Sequence, residues 1–273
     1  MNLERNNYRP KILLPFNGFW KMFSSFNRKI KIDFETKKYQ VKTASNVFEL
    51  AEVFKLRRKI FFNEIVGMKN KIFTIDYDEY DYRSDHLIIR DIKKSKIIAT
   101  YRLNSNIYSA DFYSETEFNL KGFLKSPGVK LELGRACIHK KYRCSKVLNL
   151  LWKGIGEYSK SINAQYLFGT ASLFDNDFKK ANILLNTLRE KNYLVEDKFG
   201  IHSWQKINPI QIEENEGHTL KDICPKLLRS YLKAGAKVHG KYFFDEYFQC
   251  FDFLVLLDLD VLSKSFKKRY WEK

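Results

Sequence analysis

The stretch Leu131-Glu-Leu-Gly-Arg-Ala-Cys-Ile-His139 decides the fold, because it has the composition of a buried strand that runs into a turn. Tyr142-Arg-Cys-Ser-Lys146 and an apolar helical run through Trp152 follow it. The order strand, basic turn, helix predicts an anion-binding helix start. A buried strand seldom carries an acid and a base for packing alone. Glu132 and Arg135, separated by Leu133 and Gly134, therefore mark the predicted active site.

Strands and helices alternate on both sides of this stretch, which predicts an α/β fold with a mixed central sheet flanked by helices. Predicted strands cover 38–42, 86–90, 97–103, 131–138, 166–171 and 251–257, and predicted helices cover 46–63, 145–161, 177–191 and 224–233. We divide the chain into a basic, aromatic N-terminal arm (1–37), a core (38–210) and a helix-strand-helix extension packed on the core (211–273).

The charge balance predicts an acidic partner. The 273 residues include 49 Lys and Arg against 32 Asp and Glu, a formal net charge of +17. Nucleic acid, an anionic bilayer, an acidic protein and a phosphate-bearing substrate all fit this charge. The four cysteines form no Cys-x-x-Cys pair, which argues against a disulfide framework or a zinc site and fits a reducing cytosol.

No membrane-spanning segment is predicted, because Asp252, Asp258 and Asp260 interrupt the longest apolar stretch near the C-terminus. We expect a cytoplasmic protein. Residues 1–31 carry seven Lys or Arg, one acid and several aromatic residues, a composition suited to the surface of an anionic inner membrane. A packed or disordered arm is an equally weighted alternative.

A second feature is the segment between Ile65 and Ser84, which contains Asp76-Tyr-Asp-Glu-Tyr-Asp81. Loops of this length without regular structure are uncommon as simple connectors and often carry function. We therefore expect this acidic loop to shape the site.

The ordered motifs resemble one family. The chain resembles the GNAT-fold acyltransferases of bacterial amino-acid lipid synthesis, typified by ornithine Nα-acyltransferase and often labelled hemolysin-like. It is more distantly similar to the acyl-homoserine lactone synthases. The matching motifs are Leu56-Arg57 with Phe61, Asp78-Glu-Tyr-Asp81, Asp85-His86-Leu87, Thr100-Tyr-Arg-Leu103, Glu115-Thr-Glu-Phe118, Glu132-Leu-Gly-Arg135, Leu150-Leu-Trp152, Leu167-Phe-Gly169, and Leu227-Leu-Arg-Ser-Tyr-Leu232 with Gly235-Ala236.

The resemblance implies a GNAT-like sheet with a family-specific C-terminal extension. It implies transfer of a 3-hydroxyacyl group from acyl carrier protein to the α-amine of ornithine or another small amino acid. The donor would be carried on the phosphopantetheine of the carrier protein, with no cofactor or metal bound by the enzyme. The positions implied as site residues are Arg57, Phe61, Asp78, Asp81, Arg102, Glu132 and Arg135.

The chemistry of amide formation assigns roles to these groups. An ammonium cannot attack a thioester, so a carboxylate must accept its proton, and Glu132 is the first choice. Asp78 and Asp81 are candidates to hold the cationic groups of the amino acid. Arg102 or Arg135 is expected to clamp the carboxylate of the substrate.

Other positions are assigned on weaker grounds. Backbone N–H groups beside a bulged strand near Gly134 are expected to stabilise the oxyanion. His86 could relay a proton, although a structural histidine is the favoured alternative. Cys144, without a base nearby in sequence, is expected to be a packing residue. Trp152, Phe168 and Phe174 are expected in the core rather than along an acyl-chain tunnel.

The turn before the predicted helix 145–161 lacks the glycines of acetyl-CoA-using GNAT enzymes, since Lys146 and Leu148 occupy those places after Arg143. Arg143, Ser145 and Lys146 are instead expected to hold the single phosphate of phosphopantetheine. This favours a carrier-protein donor. Acyl carrier proteins are acidic and match the net charge, and no nucleic-acid partner is expected.

Two alternatives remain from the sequence. One is an autoinducer-like or small-molecule acyltransferase. The other is a noncatalytic protein that binds anionic lipid or nucleic acid on the same fold, because fold alone does not determine function.

Overall fold

A mixed eight-stranded sheet forms the centre of the molecule. The computed structural model describes residues 26–65, 76–195, 199–207 and 219–272. Across the sheet the strands follow the order β1 (Asp33–Glu35), β2 (Tyr39–Thr43), β3 (Asp85–Asp91), β4 (Lys96–Ser105), β6 (Val129–Ile138), β7 (Ala164–Leu173), β10 (Cys250–Asp258) and β9 (Lys237–Asp245). Only β6 and β7 pair in parallel within this sheet. A separate short ladder joins β5 (Phe118–Asn119) to β8 (His202–Ser203).

Helices flank the sheet, as the sequence predicts. They are α1 (Val47–Arg58), α2 (Lys121–Lys125), α3 (Ser145–Ser161), α4 (Phe178–Glu190), α5 (Leu220–Ile223), α6 (Lys226–Ala234) and α7 (Lys264–Tyr270). A π-helical segment, Lys59–Ile65, continues α1. Short 3-10 turns lie at Glu79–Tyr82, Tyr113–Thr116, Lys140–Tyr142 and Leu259–Val261. None of the helices in the described ranges combines the length and apolar character that a membrane span requires.

The two faces of the sheet carry separate apolar cores. On β3, Leu87 and Ile89 belong to a cluster that includes Trp152 of α3, whereas Ile88 belongs to one that includes Phe54 of α1. Because successive strand residues point to opposite faces, α1 and α3 cover opposite sides of the sheet. This arrangement confirms the predicted α/β class.

The sheet splits between β6 and β7. Their parallel pairing runs from Val129↔Ala164 to Glu132↔Phe168 and then stops. Beyond that point β6 continues beside β4 and β7 continues beside β10. At the split, a Cβ atom on Gly169 would lie 2.3 Å from the carbonyl oxygen of Leu133. Only glycine permits this close approach before the strands diverge.

The C-terminal segment differs from its prediction. The sequence predicts one strand after α6, but the structure has two, β9 and β10, and both belong to the main sheet. The strand that was missed, Lys237–Asp245, contains Gly240 and charged residues that obscure its alternation. The predicted loop 213–218 and residues 1–25 of the predicted arm lie outside the described residues. Within the rest of segment 1–37, β1 pairs with β2.

Candidate active site

A buried network of ion pairs lies where α1 meets the Glu79–Tyr82 turn. Arg57 donates from Nε to Asp76 Oδ2 at 2.9 Å, from Nη1 to Asp81 Oδ1 at 2.5 Å and from Nη2 to Asp81 Oδ2 at 3.1 Å. Burial opposes ionisation of Asp81, but Arg57 and Arg102 outweigh it and hold the pKa of the Asp81 carboxyl below its ordinary value. Asp81 is therefore ionised and fixes the end of α1 to the turn.

Arg102 and Arg135 reach the same turn from β4 and β6. Arg102 Nη1 lies 2.5 Å from Asp78 Oδ1 and 3.3 Å from Asp81 Oδ1, and Arg135 Nη2 lies 2.8 Å from Asp78 Oδ2. Asp78 also caps the turn by accepting from the backbone N–H of Tyr80. Predicted site residues from four elements thus meet, but the two aspartates bind arginines of the chain itself. Their predicted contact with cationic groups of a substrate stays a prediction.

Arg102 keeps donors that no other group uses. Its Nε and Nη2 atoms are buried and have no hydrogen-bond partner in the described part of the chain. A Cβ atom on Gly134 would lie 3.4 Å from Nε and 3.5 Å from Nη2, so glycine leaves the guanidinium uncovered on that side. These free donors favour the predicted role of Arg102 as part of a carboxylate clamp.

A cavity of about 310 Å³ occupies the gap where β6 and β7 separate. The predicted site residues Phe61, Gly134 and Arg135 line it, whereas Glu132, Asp78, Asp81, Arg57, Arg102 and His86 do not. Other lining groups are Tyr101, Tyr113, Leu133, Ala136, Thr170, Ser172, Phe174, Pro225, Lys226, Leu227, Asp245, Phe248, Cys250 and Asp252. The cavity is thus apolar over much of its wall and polar around Arg135 and the two aspartates.

The predicted bulge in the strand at Gly134 is confirmed. Arg102 pairs with Gly134 and Thr100 with Cys137, so Arg135 and Ala136 together face Tyr101 alone. Arg135 has φ of 50°, a left-handed conformation that is unfavourable for a residue with a side chain. The extra residue interrupts the ladder between β4 and β6 beside the cavity.

Glu132 lies behind the cavity wall rather than in it. Its Oε2 accepts from the N–H of Tyr113 at 3.1 Å and its Oε1 from the N–H of Ser114 at 2.7 Å. Burial raises the pKa of the Glu132 carboxyl, although Arg102 and these donors oppose the shift. Glu132 therefore holds the Tyr113–Thr116 turn, and Tyr113 forms part of the cavity wall. Of the predicted acid and base pair, only Arg135 borders the cavity.

His86 is buried beside the ion-pair network. Its Nε2 lies 3.3 Å from the carbonyl oxygen of Asp81, and its ring packs edge-on against Phe54. Burial lowers the pKa of His86 to about 4, so the ring is neutral at neutral pH. This placement supports the structural alternative over a proton relay.

The start of α3 carries the predicted basic turn. Arg143 donates to the carbonyl oxygen of Ile138 at 3.0 Å and pairs with Glu64 at 2.6 Å, and it remains half exposed. Ser145 begins the helix and Lys146 follows it, both exposed. The N-cap residue, Cys144, makes no side-chain cap hydrogen bond. It is exposed, so its predicted packing role is wrong.

Of the three aromatic residues predicted in the core, two are buried there and one is not. Trp152 and Phe168 are buried in the core, as predicted. Phe174 is 46% exposed and lines the cavity, so its predicted core position is wrong.

Three further carboxylates, which we did not predict as site residues, lie together, and two of them, Asp245 and Asp252, line the cavity. Glu117, Asp245 and Asp252 are buried and each offers an oxygen within 4.8 Å of the others. Asp252 accepts from Ser172 Oγ at 2.5 Å, and Asp245 accepts from the N–H groups of Tyr247 and Phe248. Burial, helped by Asp245, raises the pKa of Asp252 to about 7. One signal was present in the sequence, since Asp252 interrupts an apolar strand.

Comparisons with known proteins agree with this geometry. Residues 56–153 match the family model described as an acetyltransferase (GNAT) domain. The chain is 26% identical over 244 residues to an L-ornithine Nα-acyltransferase of Rhodobacter capsulatus, covering 85% of this chain and 94% of that protein. It is 27% identical over 248 residues to one of Brucella abortus, covering 85% and 88%.

Solved structures show similar chains at lower identity. The acyl-homoserine lactone synthase LasI has a TM-score of 0.48 at 12% identity and covers 89% of this chain and 96% of its own. FeeM, an N-acyl amino acid synthase from uncultured soil microbes, has a TM-score of 0.46 at 8% identity and covers 86% and 96%.

The matched domain and the curated relatives support an acyltransferase whose residues 56–153 are similar to the GNAT domain. More particularly, the chain is similar over most of its length to the L-ornithine Nα-acyltransferases.

Proposed function

We propose that the protein transfers a 3-hydroxyacyl group from acyl carrier protein to the α-amine of ornithine or another small amino acid, giving a lyso-aminolipid. The observation that carries this proposal is the cavity at the split between β6 and β7, which combines an apolar wall with Arg135 and two carboxylates. An acyl chain needs the apolar wall, and an amino acid needs the charged groups. The names of the relatives support the N-acylation of an amino acid, and ornithine in particular as the acceptor.

The start of α3 supports a carrier-bound donor. Arg143, Ser145 and Lys146 surround a helix N-terminus whose residue Cys144 supplies no side-chain cap, so the helix dipole and the first-turn N–H groups remain for a phosphate. No glycine precedes the helix to close around a pyrophosphate. A net charge of +17 favours an acidic carrier, and the enzyme itself needs no bound cofactor.

The reaction follows from the placement of the groups. The amine must lose a proton before it attacks the thioester carbonyl, and Glu132, whose pKa is raised by burial, accepts that proton through water. As the C–N bond forms, backbone N–H groups at the bulge stabilise the oxyanion. The tetrahedral intermediate then collapses, the C–S bond breaks, and the pantetheine sulfur leaves and takes up a proton. Arg135, which lines the cavity, holds the carboxylate of the amino acid, and Arg102, whose free donors lie behind Gly134, is the alternative clamp.

The product would carry one long chain and would partition to a membrane surface, which fits a peripheral location and the basic composition of residues 1–31. This peripheral association is part of the proposal.

The test is a reconstituted reaction. Purified protein would be incubated with 3-hydroxyacyl carrier protein or the matching acyl-CoA and a panel of amino acids, with products identified by mass spectrometry. We expect an N-acyl amino acid, formed at least about tenfold faster from the carrier thioester. An amide on another small molecule would support the autoinducer-like alternative. No amide with any amine would contradict the proposal and support the noncatalytic alternative.

A further inference from the structure

Glu117, Asp245 and Asp252 form an acidic cluster that the proposed reaction does not use. The three residues come from the segment before β5 and from the facing ends of β9 and β10, and their relative exposures are 2%, 8% and 4%. No ion pair joins any of them to a Lys or Arg within the described ranges, in contrast to the aspartates that bind Arg57. Three buried carboxylates that no Lys or Arg pairs with are costly when ionised, and either protonation or a positively charged ligand relieves that cost.

Glu117 supplies a second observation. Its Oε2 atom is buried and has no hydrogen-bond partner among the described residues. Nearly all buried polar side-chain atoms in folded proteins have a partner, so such an oxygen points to a donor supplied by a ligand. The oxygen belongs to the carboxyl group that lies within 4.8 Å of the other two.

The cluster has access to the proposed reaction site. Asp245 and Asp252 line the same cavity as Arg135 and Gly134. Arg135 also interacts electrostatically with both Glu117 and Asp252. One cavity therefore offers a guanidinium and, near it, a group of carboxylates, which is the charge pattern complementary to an amino acid with a cationic side chain.

We propose that Glu117, Asp245 and Asp252 bind the side-chain ammonium group of the acceptor amino acid and so select a diamino acid over one with an apolar side chain. This inference rests on the proposed function. An ammonium group has three N–H donors, which match three carboxylates. Asp245 Oδ1 accepts from the N–H groups of Tyr247 and Phe248, Asp252 Oδ1 accepts from Ser172, and Asp252 Oδ2 has only a weak thiol donor, Cys250. The cluster therefore offers a few oxygens to N–H donors rather than a full set of metal ligands.

The experiment compares L-ornithine with L-norvaline, which has the same carbon chain without the side-chain amine. Initial rates of amide formation would be measured for the full chain and for the variants Glu117→Gln and Asp252→Asn. We expect the full chain to prefer ornithine by at least about fiftyfold in kcat/KM, with most of the difference in KM. We expect each variant to lower this preference at least about tenfold. The matched control is Asp258→Asn, at the end of the same strand, which should keep the preference.

The outcomes separate the two proposals. Absence of product with both amino acids, while the protein is folded, would reject the proposed function itself. If the full chain forms product with equal kcat/KM for ornithine and norvaline, the proposed ammonium-binding role of the cluster is wrong, and no variant is needed to show it. A preference that survives both substitutions would overturn it as well. Activity that is lost on chelation and restored by a divalent cation would assign the cluster to a metal instead.

Discussion

Arg57 and Asp81 form a two-point ion pair in the protein interior, with Nη1 2.5 Å from Oδ1 and Nη2 3.1 Å from Oδ2. Both side chains are fully buried. The pair joins the end of α1 to the turn that also holds Arg102 and Arg135. The position of the cavity-lining Arg135 is therefore set by contacts that themselves lie outside the cavity.

Replacing Asp81 with Asn should destabilise the fold, because Arg57 would keep its charge and lose its two-point partner. Removing one member of a buried pair typically costs about 3–5 kcal/mol. Denaturant unfolding would measure the change. Asp175→Asn, which breaks the exposed pair with Lys180, is the control and should cost only about 0–1 kcal/mol. Equal effects in the two variants would argue against a network that holds the fold.

The His86 ring should contribute a fall in stability with acid, while Asp252, whose pKa is raised to about 7 in the folded protein, contributes in the opposite direction over the same pH range. The pKa of this ring is about 4 in the folded protein because burial opposes its charge, while an unfolded histidine titrates near its ordinary value of 6.5. Between these values the unfolded chain binds the extra proton, so the free energy of unfolding should decrease by up to about 1.4 kcal/mol for each pH unit lost.

Unfolding between pH 7 and 4.5 would measure this slope in the wild type, in His86→Gln and in His202→Gln, an exposed control. Only His86→Gln should change the slope relative to the wild type, by removing the part in which stability falls with acid. Asp81 affects stability only at lower pH. Its pKa is depressed in the folded protein, so the stability it contributes is lost only as the pH falls below the pKa of an unfolded aspartate. A slope that is the same in all three proteins would contradict the assignment to His86.

Glu132→Gln should lower kcat by about 10²–10⁴, the usual contribution of a general base. The amide offers an acceptor to only one of the N–H groups of Tyr113 and Ser114, so denaturant unfolding of the variant should accompany the kinetics to show that the turn remains folded. The pH profile of kcat should lose its acidic limb. Glu115→Gln, in the same turn, is the control and should keep that limb. If Glu132→Gln retains full turnover, Glu132 is an anchor of the turn and not a proton acceptor.

Arg143→Ala and Lys146→Ala should each raise the KM for the acyl carrier by about tenfold, which corresponds to one charge-assisted hydrogen bond. The KM for the amino acid and kcat should change little. The salt dependence of the carrier KM should also become weaker, because exposed charge pairs are screened. Lys160→Ala, at the other end of α3, is the control. If the KM for the acyl carrier is unchanged in both variants, the phosphate of phosphopantetheine does not bind at the start of α3.

Gly169→Ala should destabilise the protein by about 1–3 kcal/mol, since the new Cβ would lie 2.3 Å from a backbone oxygen of β6. Steady-state kinetics would show an accompanying loss of activity, because the split between the strands would shift. Gly240→Ala is the matched control, since no atom lies within 4 Å of its added Cβ. If the two variants are equally stable, β6 and β7 can move apart at Gly169 without cost, and the close contact there is not required.

Much of the fold follows from local pattern. The strand containing Glu132 and Arg135, the helix after it and the strand and helix that follow have strong apolar periodicity, and all four are present. β9 was missed because its alternation is broken, and its place in the sheet depends on pairing with β10. Pairing between distant segments leaves no local signal.

The sequence predicts which residues belong to the site better than it predicts how they are arranged. The resemblance to the acyltransferases named Asp78, Asp81, Arg102 and Arg135 as candidates, and the structure joins them. Which of them faces the cavity depends on the bulge and on the divergence of two strands, and neither can be derived from spacing. Asp76 and the acidic cluster depend on long-range contacts in the same way.

The position of β10 has a consequence for biosynthesis. β10 lies between β7 and β9 and brings Asp252 to the cavity, although it is synthesised after the other seven strands of the sheet. Until it docks, the nascent chain presents β7 as an open edge, which invites aggregation. A prematurely terminated product lacking β10 would therefore be both inactive and a target for chaperones and proteases.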